Sequence, residues 1–280
     1  MRKSNLNIPE LLDGVAYLHK ASDLAFDRYA RYVAHEHDEL EFNLGICGSA
    51  RYLIDGMPCD IKPGVLLWLF PEQTHLITKA SPDFSMWIVF IKASRLKEIC
   101  AEAPFTDLLQ ANPGHILCTQ LDNRNATYIS DSAGRLLPRE PAGLHNRLLQ
   151  ATVLTAYHAF VHSGEERQGG AVHPSVARAT RLLQSEEYNV PLESIARKAG
   201  ISKSQLCRLF KAQTGLSLVE YRHKYFLDRF MYVYGSGKTW TVLEAALQAG
   251  FGSYAQFYRV FAGHYGCGPH DYFKASSTAG

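Results

Sequence analysis

The chain has 280 residues, 46% hydrophobic and 20% charged, which is enough apolar content to give each of two domains a core. Its longest apolar runs, Val65–Phe70 and Met86–Ile91, are six residues each and too short to span a membrane, and Met1 to Asn7 leads into no apolar signal core. The net charge of +2 conceals a division: residues 173–275 hold 13 Lys+Arg against 7 Asp+Glu, and the remainder holds 16 against 20, so the basic C-terminal part is the nucleic-acid candidate.

The first 90 residues read as strands. Phe42–Cys47, Arg51–Ile54 and Val65–Phe70 are short, rich in aliphatic and aromatic residues, and separated by Gly48, Asp55-Gly56 and Pro63-Gly64. Asp55-Gly56 is a hairpin signal, and Asp83–Ile91 reads as a further strand with both faces apolar. Such runs predict a small antiparallel barrel or sandwich. After Ser94 the pattern turns helical. Over 141–162, Leu149, Val153, Ala156 and Phe160 make one stripe, with Leu144 and Leu148 nearby. That stripe suits packing on the helix's own barrel or a dimer interface, and a homodimer through it is expected. Residues 164–172, polar and glycine-rich, read as a linker between a module of 1–163 and one of 173–280. The six cysteines (47, 59, 100, 118, 207, 267) include no Cys-x-x-Cys pair, which argues against a zinc finger or disulfide scaffold and fits a reducing cytoplasm.

The C-terminal third carries an internal repeat with a period of about fifty residues. Arg208 pairs with Arg259, Phe210 with Phe261, Gly215 with Gly266 and Tyr221 with Tyr272, each at an offset of 51. Each copy reads as helix, tight turn, helix. Ala199-Gly200 and Ala249-Gly250 end the first helices, and capping boxes at Ser202/Gln205 and Ser253/Gln256 open the second ones. Leu206, Leu209 and Phe210 are the inward stripe of one, and Phe257, Val260 and Phe261 of the other. The outward faces and their caps carry Ser202, Lys203, Ser204, Cys207, Arg208 and Lys211, then Ser253, Tyr254, Ala255, Tyr258 and Arg259. These are the expected DNA-binding residues, because Arg bonds both guanine edges and phosphates in a major groove. Arg208 is the stronger base reader of the two, with Lys203 and Lys211 beside it to anchor phosphates.

Residues 173–274 resemble the paired helix-turn-helix domain of AraC/XylS-type transcription regulators. The resemblance rests on Pro191-Leu192, on Phe210-Lys211 with Thr214-Gly215 and Ser217, and on the closing Phe261, Tyr265-Gly266, Pro269 and Tyr272. It implies a sequence-specific regulator whose partner is double-stranded DNA, with a small-molecule effector, a second copy of the chain and RNA polymerase as further expected partners. Two departures stand out. Phe226 and Phe230 occupy the long joining helix where family members usually carry Arg and then Ala. Ala262-Gly263 closes the second recognition helix where basic residues are usual, so fewer phosphate contacts are expected from that unit.

His35-Glu36-His37-Asp38-Glu39-Leu40-Glu41, followed by Gly48, resembles the first half of the cupin motif, and AraC-type regulators often carry a cupin-like barrel as effector domain. On a strand His35, His37, Glu39 and Glu41 share one face. His75 sits one position early for the second half of the motif, and Lys79 replaces its usual Asn. His35, His37, Glu41 and His75 suit a divalent metal, whether zinc, iron, manganese or nickel, and together with Trp68 and Trp87 they are the expected effector lining. The expected fold is α+β in two domains: a cupin-like β-barrel with helices, then an all-α paired helix-turn-helix. The expected function is transcription regulation by a cytoplasmic protein that is not an enzyme. The alternative is a cupin-type metalloenzyme, a dioxygenase or isomerase, fused to a DNA-binding domain.

Overall fold

The computed structural model describes residues 8–21, 35–102, 104–137, 141–163, 173–184, 190–235 and 240–277; the linker expected at 164–172 lies outside them. The described residues form two compact units, 8–163 and 173–277. Among them, no helix is long and apolar enough to cross a membrane.

The first unit contains strands β1 (Gly14–Lys20), β2 (Leu40–Cys47), β3 (Ala50–Ile54), β4 (Met57–Ile61), β5 (Val65–Leu69), β6 (His75–Ala80), β7 (Ser85–Ile91) and β8 (Leu117–Gln120). They pair antiparallel into a five-stranded sheet, β1-β7-β2-β5-β8, and a three-stranded one, β4-β3-β6. The expected cupin-like module is therefore built as two sheets rather than one continuous ring of pairing. Helices α1 (Ala93–Ile99), α2 (Asn123–Gly134) and α3 (Ala142–His162) complete the unit.

Period-two alternation sorts the large sheet's side chains into two cores. Phe42, Leu44, Trp68, Trp87 and Val89 pack with Ile129 and Ala133 of α2 and with α3. Leu67, Leu69, Ile88 and Phe90 face Tyr52, Ile54, Cys59 and Ile77 of the small sheet. The α3 stripe is entirely taken up in the first of these cores: Leu149, Val153 and Ala156 are 0% exposed and Phe160 is 7% exposed. A dimer contact through that stripe is thus ruled out, since its residues already bury their surface on their own sheet.

Asp55-Gly56 makes the expected hairpin, with φ of 49° and 80° and Ile54 opposite Met57. The Asp55 carboxylate ties this turn down by accepting from the Thr74 amide and from Asn112 Nδ2, at 3.0 Å each.

The second unit is all helical: α4 (Pro174–Gln184), α5 (Leu192–Lys198), α6 (Lys203–Thr214), α7 (Leu218–Gly235), α8 (Val242–Ala249), α9 (Tyr254–Tyr265) and α10 (Pro269–Ser277). The repeat of 51 residues is visible in three dimensions. Gly215 and Gly266 cap α6 and α9 with φ of 78° and 72°, each donating its amide four residues back, to Lys211 and Ala262. These left-handed caps are what glycine allows at no steric cost. Phe210 meets Tyr221 edge-on at 5.4 Å, and Phe261 meets Tyr272 edge-on at the same 5.4 Å.

Candidate functional site

Each copy presents its second helix on a turn that the local sequence dictates. In the first, Ser202 Oγ accepts from the Gln205 amide and Gln205 Oε1 accepts from the Ser202 amide, a complete capping box that starts α6. In the second, Ser253 Oγ accepts from the Gln256 amide, but Gln256 Oε1 takes the Gly252 amide at 2.9 Å instead. The expected second box is therefore only half made. The complete one lies a helix earlier, at Thr241/Glu244 before α8.

On α6 the buried stripe is Leu206 and Phe210, with Leu209 half-buried, and the outward face shows Ser202, Lys203, Ser204, Arg208 and Lys211, with Cys207 half-buried among them. Lys203 is paired at 2.6 Å with Glu193 of α5. Both groups are exposed, so a phosphate can displace the carboxylate. On α9, Phe257 and Phe261 are buried and Val260 half-buried, while Ser253, Tyr254, Ala255, Tyr258 and Arg259 face outward. Tyr258 leans on Gly268, where an added Cβ would come within 2.9 Å of its hydroxyl. The expected DNA residues thus share one exposed surface in each unit, one cationic and the other aromatic.

The two unusual phenylalanines of α7 explain themselves here. Phe226 packs edge-on against Phe251 at 5.4 Å, and Phe230 lies 4.4 Å from Phe257 and 5.8 Å from Phe261. They fill the core under the second recognition helix.

In the first unit, the segment entering β2, β2 itself and β6 bring three of the four cupin-motif residues together; β2 begins only at Leu40, so His37 and Glu39 precede the strand and do not lie on its face with Glu41. His37 Nε2 donates to Glu41 Oε2 at 2.8 Å and its Nδ1 donates to the Glu39 carbonyl at 2.9 Å. Asn43 Nδ2 donates to Glu41 Oε1 at 2.6 Å. His75 Nδ1 donates to the Gln73 carbonyl at 2.9 Å, leaving its Nε2 as a bare lone pair 3.8 Å from Glu41 Oε2. The metal-binding atoms of His37, Glu41 and His75 all lie within 4.8 Å of one another, and all three side chains are buried. His35 is half-buried at the edge of this group: its backbone pairs with that of His75 and its ring sits 4.4 Å from the His75 ring, outside the ligating trio.

The protonation states follow from these contacts. Burial works against the His37 cation, but the hydrogen bond and charge of Glu41, then Glu39, hold its pKa above the usual histidine value. Burial likewise penalises the Glu41 carboxylate, yet His37, His75 and Asn43 bring it down to about 2. His75, desolvated and next to His35, falls to about 3 and is neutral.

Trp68 and Trp87 do not belong to this site. Alternation along β5 and β7 turns them to the helix-covered face of the sheet, where Trp68 meets Phe42 and Tyr157 and Trp87 Nε1 donates to Ser130 of α2. Asn43 was missed in the sequence, although it stands two residues beyond Glu41 on the same strand face.

An N-terminal β-rich unit with a buried polar cluster, followed by twin helix-turn-helix units, defines a two-module DNA-binding regulator. The comparisons agree. The model for the AraC-like ligand binding domain matches residues 19–157, and a helix-turn-helix domain model matches residues 195–275. The probable transcription factor PqrA of Proteus vulgaris is 35% identical over 91 residues, 32% of this chain and 71% of its own. The HTH-type transcriptional activator RhaS of Mannheimia succiniciproducens is 24% identical over 243 residues, 85% of this chain and 87% of its own. Among solved structures, ToxT of Vibrio cholerae aligns over 97% of this chain and 98% of its own, at 12% identity and a TM-score of 0.41. The chain belongs to the AraC-type transcription regulators. It is a DNA-binding regulator with a small-molecule effector domain and not an enzyme; the metalloenzyme alternative finds no support in these relatives.

Proposed function

We propose that the regulator binds its operator by laying α6 and α9 into successive major grooves on one face of the DNA, roughly 34 Å apart. The observation that carries this is the pair of matched units, each with an outward Arg, 208 and 259, at the same place on a glycine-capped helix. The 18 residues of α7 join them, about 27 Å of helix at 1.5 Å per residue. Arg208, with Lys203 and Lys211, reads bases, and Arg259 with Tyr254 and Tyr258 reads less tightly. Ser202, Ser204, Cys207, Ser253 and Ala255 complete the two faces. The domain limits are 1–163 and 173–280, with 164–172 between them. Binding of the full chain to DNA from its own upstream region, measured as a function of salt, tests the reading. Affinity falling steeply with salt supports it, and equal weak binding to any DNA sequence contradicts it.

The protein works in the cytoplasm as a homodimer and acts on RNA polymerase. With the first α3 stripe buried, the dimer uses the opposite face of that helix. Leu144, Leu148, Ala151, Thr155, His158 and His162 there recur at alternating spacings of four and three, as a coiled-coil seam requires. On this side Leu144 is 47% exposed, while Leu148 is partly buried against the first core. Sedimentation of the Leu144→Glu/Ala151→Glu double variant checks it: a monomer is expected, and an unchanged dimer contradicts this seam.

A divalent metal at His37, Glu41 and His75 is a second reading, favoured by their mutual closeness. The donor types are right, but His37 donates through both ring nitrogens and must lose a proton before it can ligate. Metal analysis of the purified protein decides: a stoichiometric divalent ion supports this reading, and none contradicts it.

A further inference from the structure

The effector cluster has an unbalanced set of hydrogen-bonding groups. His37 directs both of its ring hydrogens at Glu41 and the Glu39 carbonyl, and Asn43 Nδ2 directs one of its two at Glu41. Among the described residues, the buried atoms of this cluster left without a partner are all acceptors. His75 Nε2 is a lone pair because Nδ1 carries the proton given to Gln73, and among the described residues it has no hydrogen-bond partner. Asn43 Oδ1 is likewise buried without one, on a side chain that is 0% exposed. Two acceptors, His75 Nε2 and Glu41 Oε2, face each other across 3.8 Å. That distance is too long for a hydrogen bond and leaves His75 Nε2 in need of a donor, which, lying beside the pair, can reach both atoms.

Charge adds a sign to this demand. The Glu41 carboxylate and the His37 imidazolium cancel, and the Glu39 carboxylate, 3.7 Å from His37 on its other side, leaves the group net negative. The segment leading into β2 adds half-buried Glu36 and exposed Asp38. A carboxylate ligand would meet three acceptors and a negative field. A primary ammonium, with three hydrogens and one positive charge, matches both.

We propose that the His37–Glu41–Asn43–His75 cluster receives the ammonium end of a small amine effector, held between His75 Nε2, Glu41 Oε2 and Asn43 Oδ1. The proposal rests on the N-terminal unit being the effector domain. It assigns the class of ligand from the inventory of acceptors, and it gives His75 the role of a neutral acceptor rather than a metal ligand.

The test is a thermal-shift and calorimetric series on the full-length protein at constant ionic strength, with butylamine and 1,4-diaminobutane set against butanol, butanediol, butyrate and zinc chloride. At millimolar concentration the amines are expected to raise the melting temperature by about 2–4 °C, with butanol and butyrate inert. Glu41→Gln, which keeps shape and removes the charge, is expected to weaken amine binding at least tenfold. The wild-type selectivity order stands as the test even where that variant folds poorly. Binding of butyrate or of the neutral diol in place of the amines would overturn the proposal while leaving the effector domain intact. Saturable zinc binding that excludes the amines assigns the cluster to the metal instead. No binding by any probe, with operator binding retained, also overturns the amine assignment and leaves the DNA reading untouched.

Discussion

The two recognition helices come from one repeat, yet they present different chemistry. Helix α6 is polar and cationic outward, with Arg208 and Lys211 exposed and Lys203 held by Glu193. Helix α9 is aromatic on both sides: Tyr254 and Tyr258 face out, while Phe257 and Phe261 are sunk into a cluster supplied by Phe226 and Phe230 of α7. The scaffold is conserved between the copies to the detail of the glycine caps and the Phe–Tyr contact, whereas the surface has diverged. Fold and readout are therefore separable. The apolar stripe sets where each helix lies, and on the proposed reading the outward residues set how firmly and how specifically it holds DNA.

The largest expected effect lies in the aromatic support of the second unit. Phe230→Ala removes a fully buried ring touching Phe257 and Phe261, and should cost about 3–5 kcal/mol in denaturant unfolding of the helical unit. If it costs less than 1 kcal/mol, the second recognition helix is not held by this cluster. Next comes acid. His264 of α9 is pushed down to about 4, by burial first and by the Lys224 charge second, from an ordinary value near 6.5. Between those pH values the unfolded chain binds a proton that the folded one does not. Stability should therefore be lost as pH falls through that window, by up to about 3 kcal/mol. Melting curves at pH 7 and pH 4.5, in wild type and His264→Gln, check this: the variant should flatten the dependence. On the first unit, Lys211→Ala should weaken all DNA about equally and reduce the slope of log affinity against log salt by about 1. An unchanged slope removes Lys211 from the phosphate contacts.

What the sequence made legible follows the same division between interior and surface. Strands β2, β3, β5 and β7 were readable because each has a neighbour on both sides and so carries a near-continuous apolar run. The four missed strands, β1, β4, β6 and β8, are the four sheet edges. Edges tolerate Pro58 and Asp60 in β4 and need only four residues in β8, so their pattern is weak. In the site, the spacing of the His-x-His-x3-Glu motif found His37 and Glu41, although His37 lies before β2 and not on it, and strand alternation sets Trp68 and Trp87 on the far face. Only the pairing of β5 and β7 with β2 shows which face that is. The same holds for α3, where Leu149, Val153, Ala156 and Phe160 gave the helix its apolar stripe without naming the surface it covers.

The central claim is that the cationic unit reads the operator and the aromatic one supports it. The most direct measurement is the affinity of wild type, Arg208→Ala and Arg259→Ala, as full-length proteins, for the operator and for a set of its single-base variants at one salt concentration. Arg208→Ala should lose about 1–3 kcal/mol and its preference at one or two base pairs, and Arg259→Ala should lose less than that. If Arg259→Ala abolishes binding while Arg208→Ala leaves affinity and preference intact, the assignment of the two units is reversed.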